Sequence, residues 1–157
     1  MTPERRAHIE RVAALLDSWA PRLAVDGAER ARWLRAAYLH DALRDAPLAT
    51  KLAHGPAAAD RAAREGETDR GVLDAVRYHT IGYAGWDDVG RMLYLADFLE
   101  PGRTFAAAER RALADLVVLE RDTVLEEVAR RRIGWTLRSR WPLAPETVAF
   151  WNALVSH

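Results

Sequence analysis

Glycine and proline divide this sequence into helix-length pieces in which apolar residues recur every three or four positions. The first piece, 4–19, ends before Pro21 and Gly27, and the second, 28–45, ends before Pro47. Further helices are predicted over 56–66, 69–80, 87–99 (capped by Asp87), 105–132 (one helix, or two joined near Asp122) and 145–154. No stretch of four or more residues alternates apolar and polar residues with an enrichment in β-branched types, so no strand is predicted. The sequence therefore predicts an all-α fold, a single-domain bundle of about seven helices spanning residues 1–157.

Composition narrows the classes of protein to which the chain can belong. Lys plus Arg equals Asp plus Glu at 23 each, and a neutral chain is a poor partner for nucleic acid or membranes. The absence of cysteine excludes disulfides, thiolate metal sites and a cysteine nucleophile. No apolar run approaches the roughly 18 residues of a membrane span, and the N-terminus lacks a signal peptide's apolar core. We expect a cytoplasmic protein; its six tryptophans supply enough apolar surface for a homodimer.

Histidine and aspartate occupy positions where apolar residues are expected. His8, His40 and His79 share helical faces with apolar residues, Asp41 follows His40 directly, and Asp97 lies within the apolar run MLYLADFL. A buried carboxylate is unfavourable unless it is paired, hydrogen-bonded or bound to a metal. Imidazole and carboxylate without thiolate are ligands for iron, manganese or zinc, and bundle helices can direct them inward to one site. The alternatives are core histidines with hydrogen bonds, a turn cap at Asp41 and an arginine partner for Asp97. The residues alone leave these interpretations balanced.

The order of these residues resembles that of the HD-domain metal-dependent phosphohydrolases. The similarity is closer to their symmetrical diadenosine tetraphosphate hydrolase (YqeK-type) branch. It is carried by RRAH ending at His8 and by LHDALR (39–44), AHGPAAA (53–59), LDAVRYHTIGYAG (73–85) and YLADFLEPGRTF (94–105), and more weakly by PETVAFWNALV (145–155). The resemblance implies an HD-domain-like fold and metal-dependent hydrolysis of a nucleotide phosphoanhydride, with diadenosine tetraphosphate cut into two ADP.

The resemblance also implies a ligand set and a metal. His8, His40, Asp41 and Asp97 correspond to the family's metal ligands. The ion is expected to be divalent iron, with manganese, cobalt and zinc as alternatives, and one ion is expected rather than two. Asp41 is the expected group for orienting the attacking water.

The remaining implied roles concern catalysis and the nucleotide. Asp41, His54 and His79 are the implied catalytic residues. His54 and His79 would stabilise phosphoryl charge, and His79 could protonate the leaving ADP. The alternative that the resemblance leaves open for His54 and His79 is a second metal site, as in binuclear HD enzymes. The implied nucleotide contacts are Arg5, Arg44, His54, His79, Thr80, Arg103, Thr147, Trp151 and Asn152. Trp151 is expected to stack on the nucleoside, with a core anchor as the alternative.

Three departures from the family pattern affect the choice of substrate more than the metal. The segment between Asp41 and His54 is short, Ile-Glu-Arg-Val follows His8, and Tyr83 and Trp86 replace typical residues of the turn after His79. Two other functions therefore stay open. One is an HD phosphohydrolase acting on another nucleotide, such as a mononucleotide. The other is a non-catalytic nucleotide-binding module that keeps the HD scaffold.

Overall fold

The computed structural model describes residues 1–48 and 50–156, and this part of the chain is helical without strands. Its elements are α1 (Pro3–Arg22), α2 (Gly27–His40), a 3₁₀ turn (Lys51–Ala53), α3 (His54–Arg64), α4 (Arg70–Tyr78), α5 (Asp88–Leu99), α6 (Ala107–Arg138) and α7 (Pro145–Leu154). The prediction of an all-α fold with about seven helices is confirmed.

Side-chain caps begin four of these helices. Thr2, Asp26 and Asp69 each accept a hydrogen bond from the backbone N–H three residues ahead, at the starts of α1, α2 and α4. Asp87, the cap predicted from the sequence, accepts from the N–H of Val89 and begins α5. Each cap satisfies a backbone donor that has no partner within its helix.

Several predicted helix ends were wrong, and proline placement explains two of them. Pro21 lies inside the last turn of α1, which ends at Arg22, because a proline so near the end disturbs little of the hydrogen-bond ladder. α3 begins at His54 rather than at Pro56. Pro56 sits in the first turn, where a backbone N–H has no partner in the helix, so its missing donor costs nothing there.

The ends of α2 and α6 also differ from the prediction. α2 ends at His40 rather than at 45, because the backbone of Asp41 leaves the helical region and caps the helix. The residues that follow form turns, in which the N–H of Arg44 donates to the carbonyl of Asp41. α6 extends to Arg138 and bends at Glu120, close to the join predicted near Asp122.

α5 lies at the centre of the packing and is buried on nearly every face. It contacts α1, α2, α4 and α6, and its run 92–97 is buried throughout. A helix buried all round carries apolar residues on all faces, as MLYLADFL does. Asp97 is thereby carried into the interior. Among the described residues, no helix is long and apolar enough to span a bilayer.

Candidate metal centre

Three helices bring four predicted ligands to one buried point. His8 comes from α1, His40 is the last residue of α2, Asp41 follows it, and Asp97 comes from α5. All four are buried, and one ligand atom of each lies within 4.8 Å of the others. We call these four residues the ligand cluster.

His40 carries the clearest sign that the ligand cluster fits a cation. Its Nδ1 donates to the carbonyl oxygen of Ala37 at 2.6 Å, so its Nε2 holds a lone pair when the ring is neutral. This Nε2 lies 3.6 Å from Oδ2 of Asp41 and 3.6 Å from Oδ1 of Asp97. It is buried and has no hydrogen-bond partner within the described part of the chain. A buried lone pair facing two carboxylates fits a metal ion, which would bind all three groups.

His54 and His79 form a second group of possible ligands, which shares Asp41 with the ligand cluster. We call these two residues the second histidine group. Oδ1 of Asp41 lies 3.4 Å from Nε2 of His54 and 3.3 Å from Nε2 of His79, while its Oδ2 faces His8 at 3.5 Å. Both rings donate from Nδ1 to a carbonyl three residues earlier, that of Lys51 for His54 and that of Val76 for His79. Their two Nε2 atoms are 3.0 Å apart. Because two lone pairs repel at that distance, a proton or a cation must lie between the rings.

Charges within the ligand cluster stabilise one another against the cost of burial. Burial alone would lower the pKa of His8, but Asp97 and Glu100 outweigh it and raise this pKa to about 9. Burial would also lower the pKa of His40, but Asp41 and Asp97 outweigh it and raise this pKa. Burial would raise the pKa values of Asp41 and Asp97, but the neighbouring imidazoles hold both below the usual range. The carboxylates are therefore anionic, and protons on imidazoles supply the positive charge that a divalent ion would replace.

Burial has the opposite result at His79. It lowers the pKa of this ring, and the hydrogen bond to Asp41 only partly offsets the effect. The ring of His79 is therefore neutral at pH 7.

Glu100 and Arg11 support the ligand cluster from behind, and sequence reasoning assigned neither a role. Glu100 is fully buried and lies 3.9 Å from Nδ1 of His8, with Arg11 donating to its Oε2. Burial would raise the pKa of Glu100, but His8 and Arg11 lower it to about 2. A carboxylate behind a ligand histidine orients the ring and increases its basicity. Glu100 lies within the motif YLADFLEPGRTF, and this position was the feature of the sequence that could have indicated its role.

Three arginines surround the carboxylates. Nη1 of Arg5 donates to Oδ2 of Asp41 at 2.9 Å. Nη2 of Arg103 lies 3.4 Å from Oδ1 of Asp97. Arg132, from α6, lies 3.7 Å from Oδ2 of Asp97 and donates to the carbonyls of His79, Thr80 and Tyr94. Sequence reasoning missed Arg132, because nothing distinguishes it from its arginine neighbours at 130 and 131.

A cavity of about 1260 Å³ opens beside Asp97. Four of the predicted site residues line it: Thr80, Asp97, Arg103 and Thr147. Thr147 is buried, and its hydroxyl donates to the carbonyl of Ile81 at 2.7 Å, which ties α7 to the turn after α4. Thr80 Oγ1 lies 3.5 Å from Nε2 of His54 and links the cavity to the second histidine group.

Six of the nine predicted nucleotide contacts are not in the cavity wall formed by residues 1–48 and 50–156. Arg5, His54 and His79 lie at Asp41 instead, and the other three lie elsewhere. Arg44 lies in the turn after α2. Trp151 is half-buried against the core, with Arg130 over its ring at 5.6 Å, and Asn152 is exposed. The structure therefore does not bring these three side chains to the cavity beside the ligand cluster.

Comparison with known proteins gives a consistent family match. The profile of the HD domain family matches residues 5–113. A Bacillus subtilis protein named symmetrical bis(5'-nucleosyl)-tetraphosphatase is 32% identical over 108 residues, covering 68% of this chain and 56% of that protein. A Halalkalibacterium halodurans protein of the same name is 30% identical over 109 residues, covering 67% and 56%. This chain thus spans little more than half the length of the curated relatives it matches.

The fold has a close match among solved structures. A Clostridium acetobutylicum protein, described as a predicted HD superfamily hydrolase involved in NAD metabolism, superposes with a TM-score of 0.80. The match covers 99% of this chain and 90% of that one, at 19% identity. At this identity the similarity establishes the fold alone.

Proposed function

This chain belongs to the HD domain family, and from that premise we propose that it hydrolyses a nucleotide phosphoanhydride, cutting diadenosine tetraphosphate symmetrically. One water is consumed, the central P–O–P bond breaks, and two ADP leave. Two relatives named for this reaction support the substrate. We propose further that residues 1–157 act as one HD domain.

The proposed metal site is the ligand cluster, His8, His40, Asp41 and Asp97. Its two imidazoles and two carboxylates suit divalent iron, with manganese, cobalt and zinc as alternatives. A divalent ion held there would supply a Lewis acid that lowers the pKa of water and polarises a phosphoryl oxygen. We propose one ion, with the proton shared by His54 and His79 filling the second position.

Asp41 and the second histidine group are the proposed residues for handling protons. The two oxygens of Asp41 face different groups, so this carboxylate can orient a water against the phosphorus while it remains anionic. We propose that a proton held between Nε2 of His54 and Nε2 of His79, which lie 3.0 Å apart, is the one transferred to the leaving ADP oxygen. A side-chain nucleophile is unnecessary, because water attacks directly.

Arginines supply the positive charge that a polyphosphate needs. Arg103 and Arg132 both lie beside Asp97 and both line the cavity. Their guanidinium groups can donate to phosphoryl oxygens on which negative charge grows as the bond breaks. Arg5, which donates to Asp41, holds that carboxylate in place from the opposite side.

One observation carries the proposal: the buried, unpartnered Nε2 of His40 faces two anionic carboxylates beside a basic cavity. The test is to incubate metal-loaded protein with diadenosine tetraphosphate and to separate the products by chromatography. We expect ADP as the sole product. ATP with AMP, or no turnover at all, would overturn the proposed reaction.

A matched pair of variants ties this activity to the ligand cluster. Asp41→Asn should abolish ADP formation. Asp115→Asn makes the same change on α6, at an exposed position outside the ligand cluster, and should leave ADP formation intact. Equal activity in the two variants would remove Asp41 from the mechanism.

A mononucleotide substrate is the second candidate, and the short segment between Asp41 and His54 favours it. That segment contributes Thr50, Lys51 and Leu52 to the cavity wall, so its length affects what the cavity admits. Hydrolysis rates across mononucleotides and dinucleotides decide between the two. A mononucleotide cleaved much faster than diadenosine tetraphosphate would replace the first choice. Tight nucleotide binding without turnover, with metal present, would indicate a non-catalytic module.

A further inference from the structure

The cavity contains an exposed aromatic corner that the proposed reaction does not use. Trp135, near the end of α6, and Trp141, in the segment before α7, meet edge to face with ring centroids 5.2 Å apart and planes at 82°. Both line the cavity, and they are 53% and 49% exposed. Two large aromatic rings half open to a cavity form a surface on which a flat ring can stack.

The end of α6 holds the two rings together without a ligand. Arg140 takes a left-handed conformation with φ of 60°, which reverses the chain after the helix. The N–H of Trp141 then donates to the carbonyl of Thr136 at 3.1 Å. This backbone pattern brings the residue after the reversal against the preceding helical turn. The rings are thus already in place, and little conformational entropy is lost when something binds to them.

The aromatic corner is continuous with the part of the cavity near the ligand cluster. Trp135 follows Arg132 by three residues, so the two lie on neighbouring positions of one helix face, about 4.5 Å apart along the axis. Arg132 contacts Asp97 and lines the same cavity. A ligand of nucleotide size can therefore touch the tryptophans and Arg132 at once.

The charge of the wall indicates what kind of ligand this is. Among the described lining residues six are cationic and two, Asp97 and Glu127, are anionic. The cationic residues are Lys51, Arg103, Arg130, Arg131, Arg132 and Arg138. A wall with this excess of positive charge and an aromatic corner is complementary to a polyanion that carries a flat aromatic group.

We propose that Trp135 and Trp141 form a stacking site for one nucleobase of a dinucleotide polyphosphate, with its phosphate chain passing Arg132 towards Asp97. The proposal rests on the proposed function for the identity of the substrate. Trp151 has its ring face covered by Arg130 and lies against the core. The stacking tryptophans of this chain are therefore Trp135 and Trp141.

Binding of a substrate analogue tests the site independently of turnover. The probe is diadenosine tetraphosphate with a methylene group in place of its central bridging oxygen, measured by calorimetry on metal-loaded protein. Stacking on an aromatic side chain contributes about 1–3 kcal/mol per base, which corresponds to about 5- to 150-fold in Kd. We expect the Trp135→Ala/Trp141→Ala double variant to bind the analogue more weakly by that factor.

Two controls separate stacking from loss of structure. Inorganic tripolyphosphate has no base, so its Kd should stay within about twofold in the double variant, whereas a disordered wall would weaken both ligands. Tyr38→Ala removes an exposed ring outside this cavity and should leave analogue binding unchanged. If the double alanine variant does not fold, the Trp135→Phe/Trp141→Phe variant keeps smaller rings and should give a smaller loss of affinity.

The outcomes distinguish this inference from the proposed function. Absence of ADP formation by the wild type overturns the function, yet the difference in analogue binding can still be measured. Unchanged analogue binding in both double variants overturns the stacking site. A wild type that sediments as a dimer, and a double variant that is monomeric with unchanged analogue binding, would show that the corner docks a second copy instead.

Discussion

The ligand cluster and the cavity wall over 130–144 differ in the burial and hydrogen bonding of their side chains. In the ligand cluster and the histidine group beside it, His40, His54 and His79 each direct Nδ1 to a backbone carbonyl three residues earlier, and all three rings are buried. In the wall, two tryptophans and several arginines stand partly exposed on one helix end. In the first region each ring is oriented by a backbone hydrogen bond, and the second region presents partly exposed side chains to the cavity.

This difference assigns separate tasks to the two regions. Positioning an ion and a water demands rigid groups oriented by their surroundings, which burial supplies. Choosing a ligand requires exposed rings and charges, which a surface supplies. The family profile ends at residue 113, before the wall begins. The ligand cluster therefore lies within the residues that the family profile matches, and the wall over 130–144 lies outside them.

The largest expected effect is at His40. The substitution His40→Gln keeps polarity but withdraws Nε2, so the affinity for the metal should fall by at least about 100-fold, since even residues behind a ligand contribute 10- to 100-fold. The measurement is metal content by mass spectrometry after dialysis.

His54→Gln is the matched control for the single-ion proposal. It changes the second histidine group alone and should keep one equivalent of metal. A loss as large as that of His40→Gln would mean that both groups hold the ion or ions together.

A smaller effect is expected at Arg132, where the two regions meet. Arg132→Gln should lower the turnover number by about 100-fold, the scale for removing one donor to developing charge, while metal content stays at one equivalent. Arg130→Gln removes a cation two residues away, one that pairs with Glu127, and should change turnover little. Equal losses in the two variants would indicate a general charge effect of the wall.

The ligand cluster should also make the thermal stability of the metal-free protein depend on pH. The pKa of His8 is raised to about 9 from 6.5, so its stabilising contribution is complete below pH 6.5 and is lost as pH rises through 9. Tm of chelator-treated protein should fall by several degrees between pH 7 and 9.5. The lowered pKa of His79 adds nothing in this window, because that ring is neutral in both states.

The metal-loaded protein is the control for this pH dependence. Its His8 is already deprotonated as a ligand, so its Tm should change less over the same interval. Parallel curves for the two forms would contradict the placement of His8 in the metal site.

The smallest expected effect is a change in Tm at Arg140, in the wall. Arg140 holds a φ of 60°, which costs a non-glycine residue about 1–2 kcal/mol. Arg140→Gly relieves this strain and should raise Tm by about 2–4 °C for each kcal/mol gained. Thermal unfolding measures this change, and Arg111→Gly, at an exposed position inside α6, should lower Tm instead. A lowered Tm in Arg140→Gly would contradict the strained turn.

The helices could be predicted because burial leaves a periodic pattern. For the ligand cluster the residue pattern left a metal site and its alternatives balanced, and the ligand set came from the family resemblance. Polar groups such as Asp97 within an apolar run are conspicuous, and the residue order adds a second, independent indication. The end of α2 at His40 could not be predicted, since Pro47 is the nearest stop signal and the departure at Asp41 depends on tertiary contacts.

The wall left a weaker pattern in the sequence. Arg132 has the same local composition as its neighbours, and its role depends on which way α6 faces after the bend at Glu120. Trp135 and Trp141 are six residues apart and meet because the chain reverses at Arg140. No glycine stands at that position to indicate the reversal in the sequence. Trp151, for which nucleoside stacking and a core anchor were both open, is half-buried and packs against the core.

The most direct test of the account is a metal titration of chelator-treated protein, with ADP formed from diadenosine tetraphosphate as the readout. We predict no activity without metal and a linear rise in activity that saturates at one equivalent. Asp41→Asn should stay inactive throughout. Full ADP formation by protein carrying less than about a tenth of an equivalent of metal would contradict the central claim that the ligand cluster holds the ion on which hydrolysis depends.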